Sequence, residues 1–394
     1  MKKISLILAA LLCGLSLFAS DRKKQAQLQS LCSSNALQGS AVSICIRKID
    51  GSPVASVNES MRLVPASNVK LITTAAALAS LGGDFCFETG LAYGGEIRDS
   101  ILYGNLVVLN GLDPTLCGEN CDTSAFKEWQ MKIKDCGIKA VQGSFYASDG
   151  ILAQESVWGG HHHPSWQIED IDSSDARDLG MGTFAELFGA FLRRSGFLTD
   201  KNLMPTPRDS LILLFNHLSP PLKELVQHCN TVSDNRYAET FARAIGLKMY
   251  QDCCYESSNK ARQKVLQQIY SCPQRRYCLV DGSGLSRKNL VSSAYFVDFL
   301  TAMSRNKEFD NFLSSLPAPG EGTLKNILIN SAPGLRKRIR MKSGTMDGIR
   351  CYSGYMLDAK GNPETVFSIL TNCSTAPRNE VTAVIEKILL LIGE

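Results

Sequence analysis

The sequence predicts an α+β fold, an antiparallel sheet with flanking helices and a smaller, mostly β insertion, on three observations. Strand-like alternation fills residues 40 to 64 and returns around Met341 to Met356 and Val366 to Leu370, so one sheet draws on both ends of the chain. Helical patterns flank those strands over Asn68 to Leu81, about 292 to 304 and about 379 to 392. Between them, from about 89 to 221, short apolar runs such as Leu106-Val107-Val108-Leu109 are separated by Gly, Asp and Pro. At 394 residues the chain is too long for one comfortable core. The expected division is an export segment over 1–20, a discontinuous main domain from 21–88 and 222–394, and an inserted subdomain over 89–221.

The N-terminus reads Met1-Lys2-Lys3, an apolar run from Ile4 to Phe18, then Ala19-Ser20-Asp21. That is the pattern of a cleaved signal peptide. The run of about 15 apolar residues falls short of the roughly 20 that span a bilayer. No later segment is long and apolar enough to do so, which predicts an exported, periplasmic protein, soluble or peripherally attached. Of fourteen cysteines, all but Cys13 follow that segment. Export makes disulfides the default, with Cys117–Cys121 and Cys272–Cys278 as plausible local bridges and the connectivity open. There is no paired CxxC set, so no metal is expected, and His161-His162-His163 reads as a polar loop beside Pro164. A net charge of +4 carries no nucleic-acid signature. The basic run Arg336-Lys337-Arg338-Arg340 reads as a solvated edge.

Along the chain, Ala41 to Ile46 and Pro53 to Val57 predict two antiparallel strands joined through the turn Ile49-Asp50-Gly51-Ser52. A helix opens near Ser67 and stops at Gly82-Gly83. Its apolar residues lie almost all round, which predicts burial. Residues 183 to 195 form an amphipathic helix pattern, 205 to 221 place four prolines around the apolar run Leu211 to Phe215, and 222 to 250 turn helical again. The stretch 258 to 276 is basic and polar.

Three short motifs carry chemistry. In Ser67-Asn68-Val69-Lys70 a helix start puts hydroxyl and amine one turn apart on one face. A serine needs such a neighbouring base, and a lysine serves only where burial or a second cation lowers its pKa. Ser233-Asp234-Asn235 precedes a helical run and by itself is an ordinary helix cap. Lys342-Ser343-Gly344-Thr345 lies on a predicted strand, where Ser343 and Thr345 share a face and Gly344 would let a substrate backbone lie close.

Each motif is weak alone. In this order they match the S-x-x-K, S-D-N, K-T-G set of penicillin-binding proteins and class A β-lactamases, with serine for threonine in the third. Longer stretches resemble the D-alanyl-D-alanine carboxypeptidase/endopeptidase family of the penicillin-binding protein 4 type, peptidase family S13. They are Leu63 to Leu71 with Thr73 to Leu78, Asp113-Pro114-Thr115-Leu116, Asp281-Gly282-Ser283-Gly284-Leu285-Ser286-Arg287, Leu316-Pro317 with Gly320 and Gly322-Thr323-Leu324, and Lys342 to Gly348. The likeness covers about 40 to 125 and 225 to 375.

The resemblance implies a penicillin-binding protein/serine β-lactamase-like transpeptidase fold and a serine DD-peptidase acting on peptidoglycan stem peptides ending in D-Ala, with β-lactams as covalent inhibitors and no cofactor. It implies Ser67 as nucleophile, Lys70 as its base and Ser233 as proton relay. Asn235, Lys342, Ser343 and Thr345 would bind substrate, and the backbone N–H groups of Ser67 and Thr345 would form the oxyanion hole. Asp281 to Gly284 reads as a tight turn with no catalytic role. The family carries two nested subdomains between its first two motifs. Here, after Ser144 to Gly150, the chain passes Trp158 and Trp166 and soon reaches the helix at 183, so the insertion is expected to be reduced. A β-lactamase would need a deacylating glutamate on a loop after the second motif. Glu239 follows too closely and on the helix itself, and no E-x-x-L-N follows Asn235. A non-catalytic wall-binding protein would not need Ser67, Lys70, Ser233, Asn235 and Lys342 all intact.

Overall fold

A computed structural model describes residues 21–109, 112–116, 123–147, 184–272 and 276–393. The export segment, Cys117, Cys121, Trp158, Trp166 and the His161-His162-His163 run lie outside the described residues. The chain forms two compact units. One takes Met1–Ser80, Val226–Asp234 and Arg262–Glu394; the other takes Leu81–Leu225 and Asn235–Ala261.

The first unit is built on a five-stranded antiparallel sheet. Its strands are β1 (Ala41–Lys48), β2 (Pro53–Val57), β12 (Ile339–Met346), β13 (Ile349–Leu357) and β14 (Pro363–Asn372), in the order β12-β13-β14-β1-β2. Asp50 Oδ1 accepts from Ser52 N at 2.8 Å and Gly51 takes φ +93°, which closes the β1–β2 hairpin. β1 then pairs along its whole length with β14, from Ala41 opposite Asn372 to Lys48 opposite Thr365. The two ends of the chain thus share one sheet.

Both faces of that sheet are covered. Val42, Ile44 and Ile46 alternate toward a core with Phe367 and Ile369, closed by Leu28 of the helix over 21–32 and by Val381, Ile385, Ile388 and Leu389 of helix Arg378–Gly393. On the opposite face Ser43 Oγ meets Ser293 Oγ at 2.8 Å, and Tyr355 donates to Leu300 O at 2.8 Å, both on helix Ser293–Met303. Ser292 caps that helix by accepting from Tyr295 N. A short sheet of β3 (Arg62–Leu63), β10 (Tyr277–Cys278) and β11 (Leu290–Ser292) completes the unit.

The polar stretch at 258–276 holds a helix, Tyr255–Ile269, whose buried face runs through Ser258, Ala261, Arg262, Val265 and Leu266. Helical spacing is present, but a serine and an arginine occupy the stripe and hide it from an apolar count. Cys272 and Cys278 are not bridged to each other, which corrects the expectation of a local bridge. Tyr277 turns inward on β10, so the alternating Cys278 faces solvent, while Cys272 is buried. Cys45, Cys229 and Cys351 are buried outside any disulfide, and their thiols donate to Glu59 Oε2, Asp234 O and Val64 O.

The second unit holds β4 (Glu88–Arg98), β5 (Ile101–Leu109), β6 (Ala140–Gly143), β8 (Leu198–Asp200) and β9 (Ile212–Leu218) in the order β8-β6-β5-β4-β9, with β7 (Phe145–Ala147) beside β5. β4 is antiparallel to β5 and β9, whereas β5–β6 and β6–β8 are parallel. The proline-flanked run at Leu211 to Phe215 is therefore the edge strand β9. Helices Thr123–Asp135 and Phe184–Arg194 pack Phe126, Trp129, Ile133, Phe188 and Leu192 against Leu91, Leu106 and Val108 of the sheet.

Candidate active site

The site is assembled within the first unit from a short turn, a helix, a loop and a sheet edge. Ala66–Asn68 forms a 3-10 turn, and helix Val69–Leu81 follows, so the α-helix begins two residues beyond Ser67. Ala66 lies in the left-handed region at φ +47°, which is costly for a non-glycine residue and is held by its surroundings. Every residue from Val69 to Leu78 is buried, as the apolar pattern predicts. Lys70 is wholly buried on that helix. Its Nζ lies 3.0 Å from Ser67 Oγ and donates to Ser283 O at 2.8 Å.

Ser233 sits between helices Leu222–Val232 and Asn235–Tyr250, with φ +66°. Lys342 Nζ donates to Ser233 Oγ at 2.9 Å and to Ser343 O at 2.8 Å. Ser343 Oγ donates to Thr323 Oγ1 at 2.8 Å. Gly322, at φ +46°, lets that loop lie against Thr231, where a Cβ would overlap the Thr231 carbonyl. Ser67 pairs with Lys70, and Ser233 with Lys342 beside Ser343, and the Lys70 charge is felt at Lys342. Asn235 opens the next helix, half-buried, and is counted with the second unit.

β12 is an edge strand, and its direction is informative. Met341 N donates away from the sheet, to Pro317 O at 3.1 Å. Backbone groups alternate sides along a strand, so the N–H groups of Ser343 and Thr345 point off the same free edge. On the strand's other repeat, Gly344 faces the Ser67 turn. A Cβ there would stand 2.5 Å from Pro65 O and 3.1 Å from Asn68 N. The glycine thus admits the nucleophile's own turn, and the expectation that it makes room for substrate is corrected. Asn68 Nδ2, donating to Ser353 Oγ at 2.8 Å, ties the turn to the neighbouring strand β13.

Burial pushes the Lys342 amine well below its ordinary value near 10.5, and the Lys70 charge pushes it further in the same direction. In the unfolded chain the ordinary value returns. Between the lowered and the ordinary value the unfolded state therefore binds the extra proton, and native stability falls as pH falls through that window. A Lys342→Met variant lacks this loss. Its melting temperature relative to wild type is expected to rise as pH is lowered from about 10 to 7, and a difference constant over that range contradicts the assignment.

Sequence reasoning missed two contributors. Thr323 was visible only as part of the Gly322-Thr323-Leu324 likeness. The Asp281–Gly284 turn was set aside as structural, yet it delivers the carbonyl that holds Lys70. Backbone acceptors leave no side-chain signal. Among the described residues no group of three or more His, Cys, Asp or Glu gathers in a way that could hold a metal ion.

A sheet covered by helices on both faces, with a half-buried serine paired to a buried lysine at its edge, defines the penicillin-binding protein/serine β-lactamase-like fold. The chain belongs to the D-Ala-D-Ala carboxypeptidase 3 (S13) family, which it matches over residues 24–179 and 182–389. It is 23% identical over 422 residues to the D-alanyl-D-alanine carboxypeptidase DacB of Haemophilus influenzae, covering 86% of this chain and 87% of the relative. It is 26% identical to a D-alanyl-D-alanine carboxypeptidase of an Actinomadura species, over 87% of this chain and 79% of the relative. Among solved structures, penicillin binding protein 4 from Haemophilus influenzae superposes with a TM-score of 0.73 at 21% identity, covering 92% of this chain and 97% of that one. A predatory endopeptidase from Bdellovibrio bacteriovorus, solved with its immunity protein, superposes with a TM-score of 0.57 at 17% identity over 89% and 94%.

Proposed function

We propose that the protein is a serine DD-peptidase that cleaves D-alanyl bonds in peptidoglycan stem peptides through an acyl-enzyme, and that β-lactams acylate it. The observation that carries this reading is the paired arrangement of Lys70 on Ser67 and Lys342 on Ser233. Ser67 Oγ attacks the carbonyl carbon of the penultimate D-alanine while its proton passes to Lys70 Nζ. The backbone N–H groups of Ser67 and Thr345 hold the developing oxyanion, in keeping with the outward direction of the β12 edge. As the C–N bond breaks, Ser233, backed by Lys342, passes a proton to the departing D-alanine nitrogen. Lys342, Ser343 and Thr345 grip the terminal carboxylate, and Asn235 binds the peptide amide. Water then attacks the acyl carbon and releases Ser67.

Residues 1–20 direct the chain to the periplasm in this reading, and among the described residues no helix is long and apolar enough to cross a membrane. If the insertion at 89–221 is reduced relative to the family, as the sequence predicts, it alters which peptides reach the site more than the chemistry.

The test is incubation with a fluorescent penicillin, followed by proteolysis and mass mapping of the adduct. A long-lived adduct on the peptide containing Ser67 is expected. No adduct, or one on another residue, overturns the proposal, and rapid drug turnover makes the protein a β-lactamase. Digests of purified peptidoglycan then separate release of terminal D-alanine from scission of cross-links.

A further inference from the structure

The turn from Asp281 to Ser286 is buried throughout and belongs to none of the three motifs. The Asp281 carboxylate accepts from Gly284 N at 2.7 Å, Ser286 N at 2.7 Å and Asn289 Nδ2 at 2.9 Å. A buried carboxylate needs such donors, and here they fold the turn around it. Its successive carbonyls accept from two neighbouring helices. Asp281 O accepts from Arg262 Nη1, which also donates to Thr73 Oγ1 at 3.1 Å. Gly282 O accepts from Thr73 Oγ1 at 2.7 Å, and Ser283 O from Lys70 Nζ at 2.8 Å. Gly284, at φ +89°, abuts the carbonyl of Ala66, the left-handed residue just before Ser67, so closely that a Cβ would overlap it.

We propose that this turn is a positioning device for the reaction: it presents the Ser283 carbonyl to Lys70 Nζ, aims the amine's lone pair at Ser67 Oγ, and braces the Ala66 backbone that carries the nucleophile. To take the proton Lys70 must react as the neutral amine, which has two N–H bonds and one lone pair. Committing one N–H to Ser283 O restricts rotation about Cε–Nζ, and in this proposal the lone pair of the neutral amine is the group turned to the hydroxyl 3.0 Å away. Asp281 touches no reacting atom; it acts through Ser283 and Gly284, and is a positioning residue. The inference rests on the reading of Lys70 and Ser67 given above.

The experiment uses the full-length protein and a fluorescent penicillin over a concentration series. It resolves the noncovalent dissociation constant, the acylation rate constant per titrated site, and the titre. Asp281→Asn keeps the shape but replaces one acceptor oxygen with an amide. Its acylation rate constant is expected to fall about tenfold or more, with the dissociation constant unchanged. Asn289→Ala, which removes a single donor to Asp281, is expected to show a smaller fall of the same kind and decides the matter if Asp281→Asn does not fold. A wild-type rate per titrated site in the folded variants, with only titre or melting temperature reduced, overturns the proposal and leaves the reading of Ser67 intact. Absence of any adduct at Ser67 in the wild type removes that reading and this inference together.

Discussion

A Lys70→Met variant is expected to stay folded and to lose about three orders of magnitude in its acylation rate, the scale of a removed general base. Methionine has nearly the length of lysine, so the wholly buried space on helix Val69–Leu81 stays filled and the cavity term is small. What disappears is the proton acceptor 3.0 Å from Ser67 Oγ. Losing it leaves a serine that is a weak nucleophile at neutral pH. The Lys70 charge also depresses the Lys342 amine, so in this variant the Lys342 pKa moves back up. Stopped-flow labelling with a fluorescent penicillin, beside circular dichroism, reads both rate and fold. A folded variant acylating within tenfold of wild type would remove Lys70 from the base role.

The second large effect is expected at Gly344. In Gly344→Ala the added methyl points at Pro65 O and Asn68 N, and both are backbone atoms of the turn that carries Ser67. Neither can rotate away as a side chain would, so the turn must shift from β12 or the strand must bend. A displacement near one ångström costs about a hundredfold in a positioned reaction, and overpacking adds roughly 1–3 kcal/mol of lost stability. The acylation rate constant and the urea midpoint of the variant measure the two separately. Unchanged acylation with a lowered midpoint would mean that the strand yields and the turn does not.

Much of this was legible before any coordinates. The first motif named Ser67 and Lys70, and the second and third named Ser233 and Lys342, two pairs that the folded chain brings within hydrogen-bond reach, the latter across 109 residues. The buried helix at Val69–Leu81 and the β1–β2 hairpin followed from apolar pattern and turn residues. Helix Tyr255–Ile269 did not, because its inward face spends a position on Arg262, whose Nη1 donates to Thr73 Oγ1 and to the Asp281 carbonyl. The expectation of a Cys272–Cys278 bridge rested on spacing, whereas strand alternation turned one of the two thiols to solvent.

Residue types and local periodicity, both short-range properties, were enough to single out the reactive side chains and the strands and helices that bear them. The contacts that set those side chains at working distance lay beyond that reach. Lys70 finds its acceptor in a peptide carbonyl 213 residues away, and Gly344 matters for a turn at Pro65. Peptide carbonyls are the same at every position, and a missing Cβ says nothing of its neighbour, so only the packed chain could assign them.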